Sequence, residues 1–205
     1  MRLPRIVLLI SGCGSNMEAL IGHVQHGVLR DRCEVAAVIA NRDAPGLAAA
    51  ERLGVPVQIV PSVGLGTVAY GIALLEALEK LDPDLIVLAG FMRFISPSMI
   101  SRYRGRILNI HPADTKAYQG PDGYGWAHEA GLEKTMITVH LVDEGIDTGT
   151  VLGQAEVDLH GAESLEAVRR RGLDVEHRFY AEALGNFLSQ WDATAGAFRI
   201  DGEVA

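Results

Sequence analysis

"RIVLLISGCGSN", residues 5–16, is an unbroken apolar run that ends in a glycine-rich turn. A strand with one face in water alternates apolar and polar residues. A run without alternation suits a strand covered on both faces, as in a parallel sheet flanked by helices. Three more runs of this kind follow: Glu34–Ala40 (EVAAVIA), Pro56–Val60 and Leu85–Ala89 (LIVLA). Between them, Met17–Val28, Gly46–Leu53 and Thr67–Leu81 have helical spacing. In the third, Val68, Ile72, Leu75, Leu78 and Leu81 make an apolar stripe, and Asp82–Pro83 ends it. Strand and helix in alternation are the pattern of βαβ units with right-handed crossovers. The expected fold class is α/β, an open, mostly parallel Rossmann-like sheet with helices on both faces.

The second half changes character. Thr135–Val142 (TMITVHLV) and Val151–Val157 (VLGQAEV) read as adjacent strands joined by the turn-rich "DEGIDTG", residues 143–149. Ser164 to Trp191 reads as helix, with Leu165, Val168, Phe179, Ala183, Phe187 and Trp191 near one face and Gly172 as a candidate break. With no repeat, linker or low-complexity run, residues 1–205 read as a single domain. Residues 1–110 form a nucleotide- and phosphate-binding half, and 111–205 carry the rest of the site and the C-terminal helix. The chain is 48% hydrophobic and 21% charged, ample for a core. Its formal net charge of −8 argues against a general nucleic-acid or anionic-membrane binder. The N-terminal apolar run is too short to span a bilayer and no small-residue cleavage site follows it. With only Cys13 and Cys33 as cysteines, a reduced, cytoplasmic protein is expected. Trp191 and Phe198 pack either at home or against a second chain, so monomer and homodimer both stand open.

In open parallel sheets, ligands bind beyond the carboxyl ends of the strands. Those ends are Gly12–Asn16, Asn41–Asp43, Gly90–Arg93 and Asn109–His111, and the 143–149 loop is expected to open on the same rim. The turn "GCGSN" would present backbone N–H groups at a helix start, which suits a monophosphate or similar small anion. It is not a dinucleotide fingerprint. Met17 fills the third glycine's place, and Asn41–Arg42 stand where an acidic ribose ligand would. Asn109 and His111, two apart on a strand, share a face. An amide and a protonated imidazole on that face can hold a carbonyl oxygen that turns negative under attack. Asp143, Glu144 and Asp147 are either a solvated acidic turn or the source of a carboxylate that raises the His111 pKa and receives a proton. No G-x-S-x-G elbow, HExxH or CxxC occurs, so neither a serine hydrolase nor a metal site is expected. His23, His26 and His160 read as surface residues, and His140, on an apolar strand, as a structural or supporting histidine.

Four stretches in order, "VLLISGCGSNMEAL", "PDLIVLAGFMRFIS", "GRILNIHP" and "TVHLVDEGIDTGTVLGQAEV", resemble the phosphoribosylglycinamide formyltransferase family. The likeness runs from about residue 5 to residue 190. It implies the formyltransferase fold and transfer of a formyl group from 10-formyltetrahydrofolate, as co-substrate and without metal, to the amine of glycinamide ribonucleotide in purine synthesis. It also implies site residues. Asn109, His111 and Asp147 fall on the family's catalytic trio, and Gly14, Ser15 and Asn16 on its phosphate loop. Met92, Arg93, Phe94 and Ile95, with Asp143 and Glu144, fall where the family grips the pterin. Glu176 matches a ribonucleotide contact. The chain departs from the family on the acceptor side. Ala113–Gly120 (ADTKAYQG) replaces an apolar, proline-stiffened stretch, Thr67 stands in place of a phosphate-reaching arginine, and Leu173 in place of a polar residue. A 10-formyltetrahydrofolate hydrolase, a transferase for another amine and a non-catalytic folate or nucleotide sensor are the alternatives. The hydrolases usually carry an extra N-terminal domain, for which a strand starting near residue 5 is expected to leave no room.

Overall fold

The computed structural model describes residues 2–195, 197–200 and 203–204. Its main sheet has seven strands: β1 (Arg5–Ile10), β2 (Glu34–Ala40), β3 (Val57–Ile59), β4 (Leu85–Leu88), β5 (Ile107–His111), β6 (Lys134–Leu141) and β7 (Val151–Asp158). They are arranged in the order β3-β2-β1-β4-β5-β6-β7. The first five strands pair in parallel and the last two antiparallel. The helices are α1 (Ser15–His26), α2 (Pro45–Arg52), α3 (Thr67–Leu81), α4 (Pro97–Arg102), α5 (Gly123–Glu129) and α6 (Leu165–Leu188).

Strand β1 explains why its sequence has no polar alternation. Ile6, Leu8 and Ile10 join a core with Met17, Leu20 and Leu184 of α1 and α6, while Val7 and Leu9 join a second core with Tyr70, Leu74 and Leu78 of α3. Alternate residues face different helix layers, and residues 6–10 are all buried. Each such side chain contributes roughly 1.5–3 kcal/mol of hydrophobic stabilisation.

Three expectations need correction. The buried face of α3 is Tyr70, Leu74, Ala77 and Leu78, whereas Val68 and Ile72 are 66% and 53% exposed. The Tyr70 ring, packed beside Phe91, turns the first half of the helix onto its aromatic side. Gly172 does not break α6, which runs through it unbroken. The 142–150 loop does not leave on the carboxyl rim of the parallel strands. Because β6 runs antiparallel to β5, Leu141 stands opposite Leu108, and Val142 N–H donates to the Ile107 carbonyl at 2.8 Å. The loop therefore starts toward the amino end of β5 and curls back over one face of the sheet. Two short helices, α4 and α5, and a small antiparallel sheet of β8 (Trp191–Asp192), β9 (Ala197–Ile200) and β10 (Glu203–Val204) complete the described chain.

Candidate active site

Strand β5 carries Asn109 and His111 on one face, and the antiparallel register sets His140 opposite Asn109 and Thr138 opposite His111. Asp147 closes the group from the curled loop, in the left-handed region at φ 53°. Aspartate tolerates that region better than most residues. Asn109 Nδ2 donates to His140 Nε2 at 3.2 Å and to Asp147 Oδ1 at 3.4 Å. His140 Nδ1 lies 2.8 Å from the Leu141 carbonyl, so that nitrogen carries the hydrogen and Nε2 is left to accept from Asn109. His140 Nε2 is also 3.4 Å from Asp147 Oδ1, and His111 Nδ1 is 3.4 Å from Asp147 Oδ2. Three side chains from two strands thus meet at one carboxylate from the loop.

A strap, residues 112–122, lies over this group. Gly120 N–H donates to Asp147 Oδ2 at 2.9 Å, and His111 Nε2 donates to the Tyr118 carbonyl at 3.0 Å. The Tyr118 ring stacks on Trp126, 5.0 Å between centroids. Of the polar residues that set this stretch apart, Asp114 ties it to β7 by accepting from Gln154 at 3.2 Å, and the Ala113 carbonyl accepts from Thr138 at 2.7 Å. Asp147 lines a cavity of about 330 Å³ with Thr115, Lys116, Tyr118, Thr148 and Val151.

The electrostatics are asymmetric. Burial pushes the His111 pKa down, and the Asp147 charge and the Tyr118 carbonyl only partly oppose it. Burial would push Asp147 up. The Gly120 N–H bond and the His140 and His111 rings beside it outweigh burial and hold it below the usual range. The free site is therefore a neutral imidazole against a charged carboxylate.

The other residues named from the sequence occupy three places. Gly14, at φ 76°, caps α1 without a side-chain hydrogen bond, so Ser15 and Asn16 open the helix and neither caps it. Glu176 is buried on α6, where both carboxylate oxygens are taken, one by Asn16 Nδ2 and one by the Tyr124 hydroxyl. Burial raises its pKa more than those two bonds lower it. Met92 and Phe94, 72% and 67% exposed, form an apolar rim after β4, as do Ile146 on the loop after β6 and Val151 at the start of β7. Ile95 is half-buried against the α3 core. Met92 N–H is fixed to Ser11 Oγ at 2.8 Å. Arg93 donates to the Leu65 carbonyl and lies over the Tyr70 ring. With Arg42 it lines a cleft of about 610 Å³ beside Thr67. Asp143 does not reach His111. It fastens its own loop by accepting from Gly145 N–H and the Thr148 hydroxyl, and Glu144 points outward, 4.0 Å from Arg104. Among the described residues no group of three or more His, Cys, Asp or Glu could hold a metal ion, and no helix is long and apolar enough to cross a membrane. Sequence reasoning left His140 outside the working group; only the β5–β6 register shows that it faces Asn109.

Comparisons with known proteins agree with one another. A family model described as formyl transferase matches residues 4–184. The chain is 31% identical over 190 residues to phosphoribosylglycinamide formyltransferase of Bacillus subtilis (strain 168), covering 91% of this chain and 95% of that protein. It is 34% identical over 182 residues to the trifunctional purine biosynthetic protein adenosine-3 of Gallus gallus, covering 88% of this chain but spanning only 18% of that relative's length. The crystal structure of glycinamide ribonucleotide transformylase 1 from Symbiobacterium toebii superposes with a TM-score of 0.86 at 37% identity, covering 92% of this chain and 89% of that one. A formyltetrahydrofolate deformylase from Pseudomonas syringae superposes at 0.83 and 25% identity, with 93% of this chain and 63% of that one covered.

Proposed function

The chain belongs to the formyl transferase family, and on that premise we propose that it moves the formyl group of 10-formyltetrahydrofolate onto the amine of glycinamide ribonucleotide, a cytoplasmic step of purine synthesis. The observation that carries this reading is the convergence of Asn109, His111 and Asp147, with His140 behind them, next to an exposed apolar rim. A carbonyl under attack needs donors, an outlet for a proton and a dry, flat neighbour, and these residues offer all three.

10-Formyltetrahydrofolate supplies the electrophilic carbon. Met92, Phe94, Ile146 and Val151 give its rings an apolar seat, and the backbone of residues 92–95 and 143–147 gives them hydrogen-bonding groups. The bare N-terminus of α1, with Gly14, Ser15 and Asn16, suits the acceptor's phosphate. Asn109 and His111 donate to the carbonyl oxygen as it becomes negative. To do so, Asn109 releases Asp147 Oδ1 and His111 releases the Tyr118 carbonyl. Loss of one such donor costs roughly 2.7–4 kcal/mol of transition-state stabilisation. His111 is neutral before the reaction and offers its Nε2–H, a donor whose interaction strengthens as the carbonyl oxygen gains negative charge in the transition state. Asp147 takes up the proton shed by the amine, through water, and its low pKa keeps it ionised for that task.

Tetrahydrofolate release from 10-formyltetrahydrofolate, followed with and without glycinamide ribonucleotide, tests the reading, with His111→Ala as control. Release that depends on the ribonucleotide and vanishes in the variant is expected. Release indifferent to the ribonucleotide would instead support a deformylase, a second reading favoured by the superposition on the Pseudomonas syringae enzyme and by the altered strap.

A further inference from the structure

Glu176 is buried at 5% exposure in a setting the formyl-transfer chemistry does not use. Its two donors come from separate parts of the fold, Asn16 in the first turn of α1 and Tyr124 in α5 at the end of the strap. Four residues earlier on the same face of α6 stands Gly172. A Cβ added there would overlap the Tyr124 ring at Cε1, Cζ and the hydroxyl oxygen, so the ring occupies the notch that the glycine leaves. One turn after Glu176, the Tyr180 hydroxyl donates to the carbonyls of Leu88 and Leu108, at 3.0 and 3.3 Å. That bond ties α6 to the strand residue just before Asn109. Glu176 is thus held in a fixed relation to the phosphate loop on one side and to the reacting carbonyl on the other.

What this group offers a ligand follows from its unused atoms. Each Glu176 oxygen has a lone pair left after accepting once. Asn16 Oδ1 has no partner, although Asn16 is only 7% exposed. All of these are acceptors, so the matching ligand brings donors, as a vicinal diol on a pentose does.

We propose that Tyr124, seated in the Gly172 notch, is a positioning residue for the acceptor, setting Glu176 so that it and Asn16 Oδ1 face the pentose hydroxyls. This rests on the ribonucleotide reading above and deepens it. The phenol does not touch the reacting atoms. It holds one carboxylate oxygen so that the other lone pairs point one way. The pair is also a size match, since any larger residue at 172 displaces the ring and with it the carboxylate.

The test is steady-state kinetics of Tyr124→Phe, which keeps the ring in the notch and removes only the hydroxyl. KM for glycinamide ribonucleotide should rise about tenfold, with kcat and the folate KM each within about threefold. Gly172→Ala should give the same acceptor-specific loss, and Gly172→Ala combined with Tyr124→Ala should be no worse than Tyr124→Ala alone. An acceptor KM unchanged in Tyr124→Phe, or a loss shared equally with the folate KM, overturns the proposal while the formyl-transfer reading stands. Calorimetric binding of ribose 5-phosphate to the wild type and to Tyr124→Phe separates the two claims. If the wild type transfers nothing to the ribonucleotide yet binds ribose 5-phosphate tighter than Tyr124→Phe does, the acceptor assignment falls and the positioning role stands. If the wild type neither transfers nor binds, both fall.

Discussion

Two carboxylates, Asp147 half-buried and Glu176 buried, face opposite layers of the same sheet, and the fold treats them in opposite ways. Asp147 sits among two imidazoles, an amide and a backbone N–H, on the α3 side of β5 and β6, and is held below the ordinary carboxylate range. Glu176 sits between a neutral amide and a phenol, on the α1 and α6 side, and is pushed above it. Burial acts in the same direction on both. The difference lies in what surrounds each group. Neighbours able to carry positive charge keep a carboxylate ready to accept a proton, whereas neutral donors leave it a hydrogen-bonding shape with little drive to ionise.

The largest effect that could break this contrast is on turnover. Asp147→Asn keeps the size but loses the proton acceptor, and kcat should fall by roughly 10²–10⁴ with the acceptor KM little changed. Comparable losses in kcat and KM would make Asp147 a binding group like Glu176. His140→Phe comes next. It leaves the Asn109 hydrogen without its 3.2 Å acceptor, and a kcat roughly ten- to a hundredfold lower is expected, with Asn109 free to reorient. Glu176→Gln should act mainly on the acceptor KM, by about tenfold. Its new amide can be accommodated if Asn16 flips to present the unpartnered Oδ1.

The smallest effect is on stability, and there the two carboxylates should differ in sign. Asp147 is depressed below 3.8, so its contribution is present above that pH and is lost as pH falls through the lowered value. Glu176 is raised above 4.5, so its contribution is full below that pH, where both states are protonated, and is lost as pH rises through the raised value. Relative to wild type, the urea midpoint of Asp147→Asn should therefore recover as pH falls below 3.8, and that of Glu176→Gln should rise as pH climbs above 4.5. Movement in the same direction would show that the two environments do not differ as described.

The parallel half of the fold could be read from the chain because burial on both faces leaves a mark no surface strand has. β2 and α3 match their sequence bounds residue for residue, and β1, β3 and β4 lose only end residues. The strands β6 and β7 were legible too, but their direction was not. Alternation and turn residues say nothing of pairing sense, and that sense decides where the 142–150 loop goes and that His140 faces Asn109. Helix α4 had its signal in Ser96–Pro97, a capping serine before a proline at the first helical position, but a six-residue helix leaves little periodicity to detect. Helix α5 was hidden by Gly123 and Gly125, poor helix formers that owe their place to the Asp122 cap. At the site, Asn109 and His111 were legible from strand spacing alone. Residues distant in sequence, such as Asn16, Tyr124 and Glu176, meet only through helix packing, and no local pattern carries that.

The bond from Gly120 N–H to Asp147 Oδ2 makes one main-chain amide a spectroscopic probe of the carboxylate's ionisation. A charged acceptor pulls that proton's resonance downfield and shields it from exchange, and a protonated one lets it go. A ¹⁵N-labelled chain titrated toward acid would show the Gly120 cross-peak moving with Asp147, whether or not substrate is present. The same peak, followed while folate or acceptor is added, would show when the strap gives up its hold on the carboxylate.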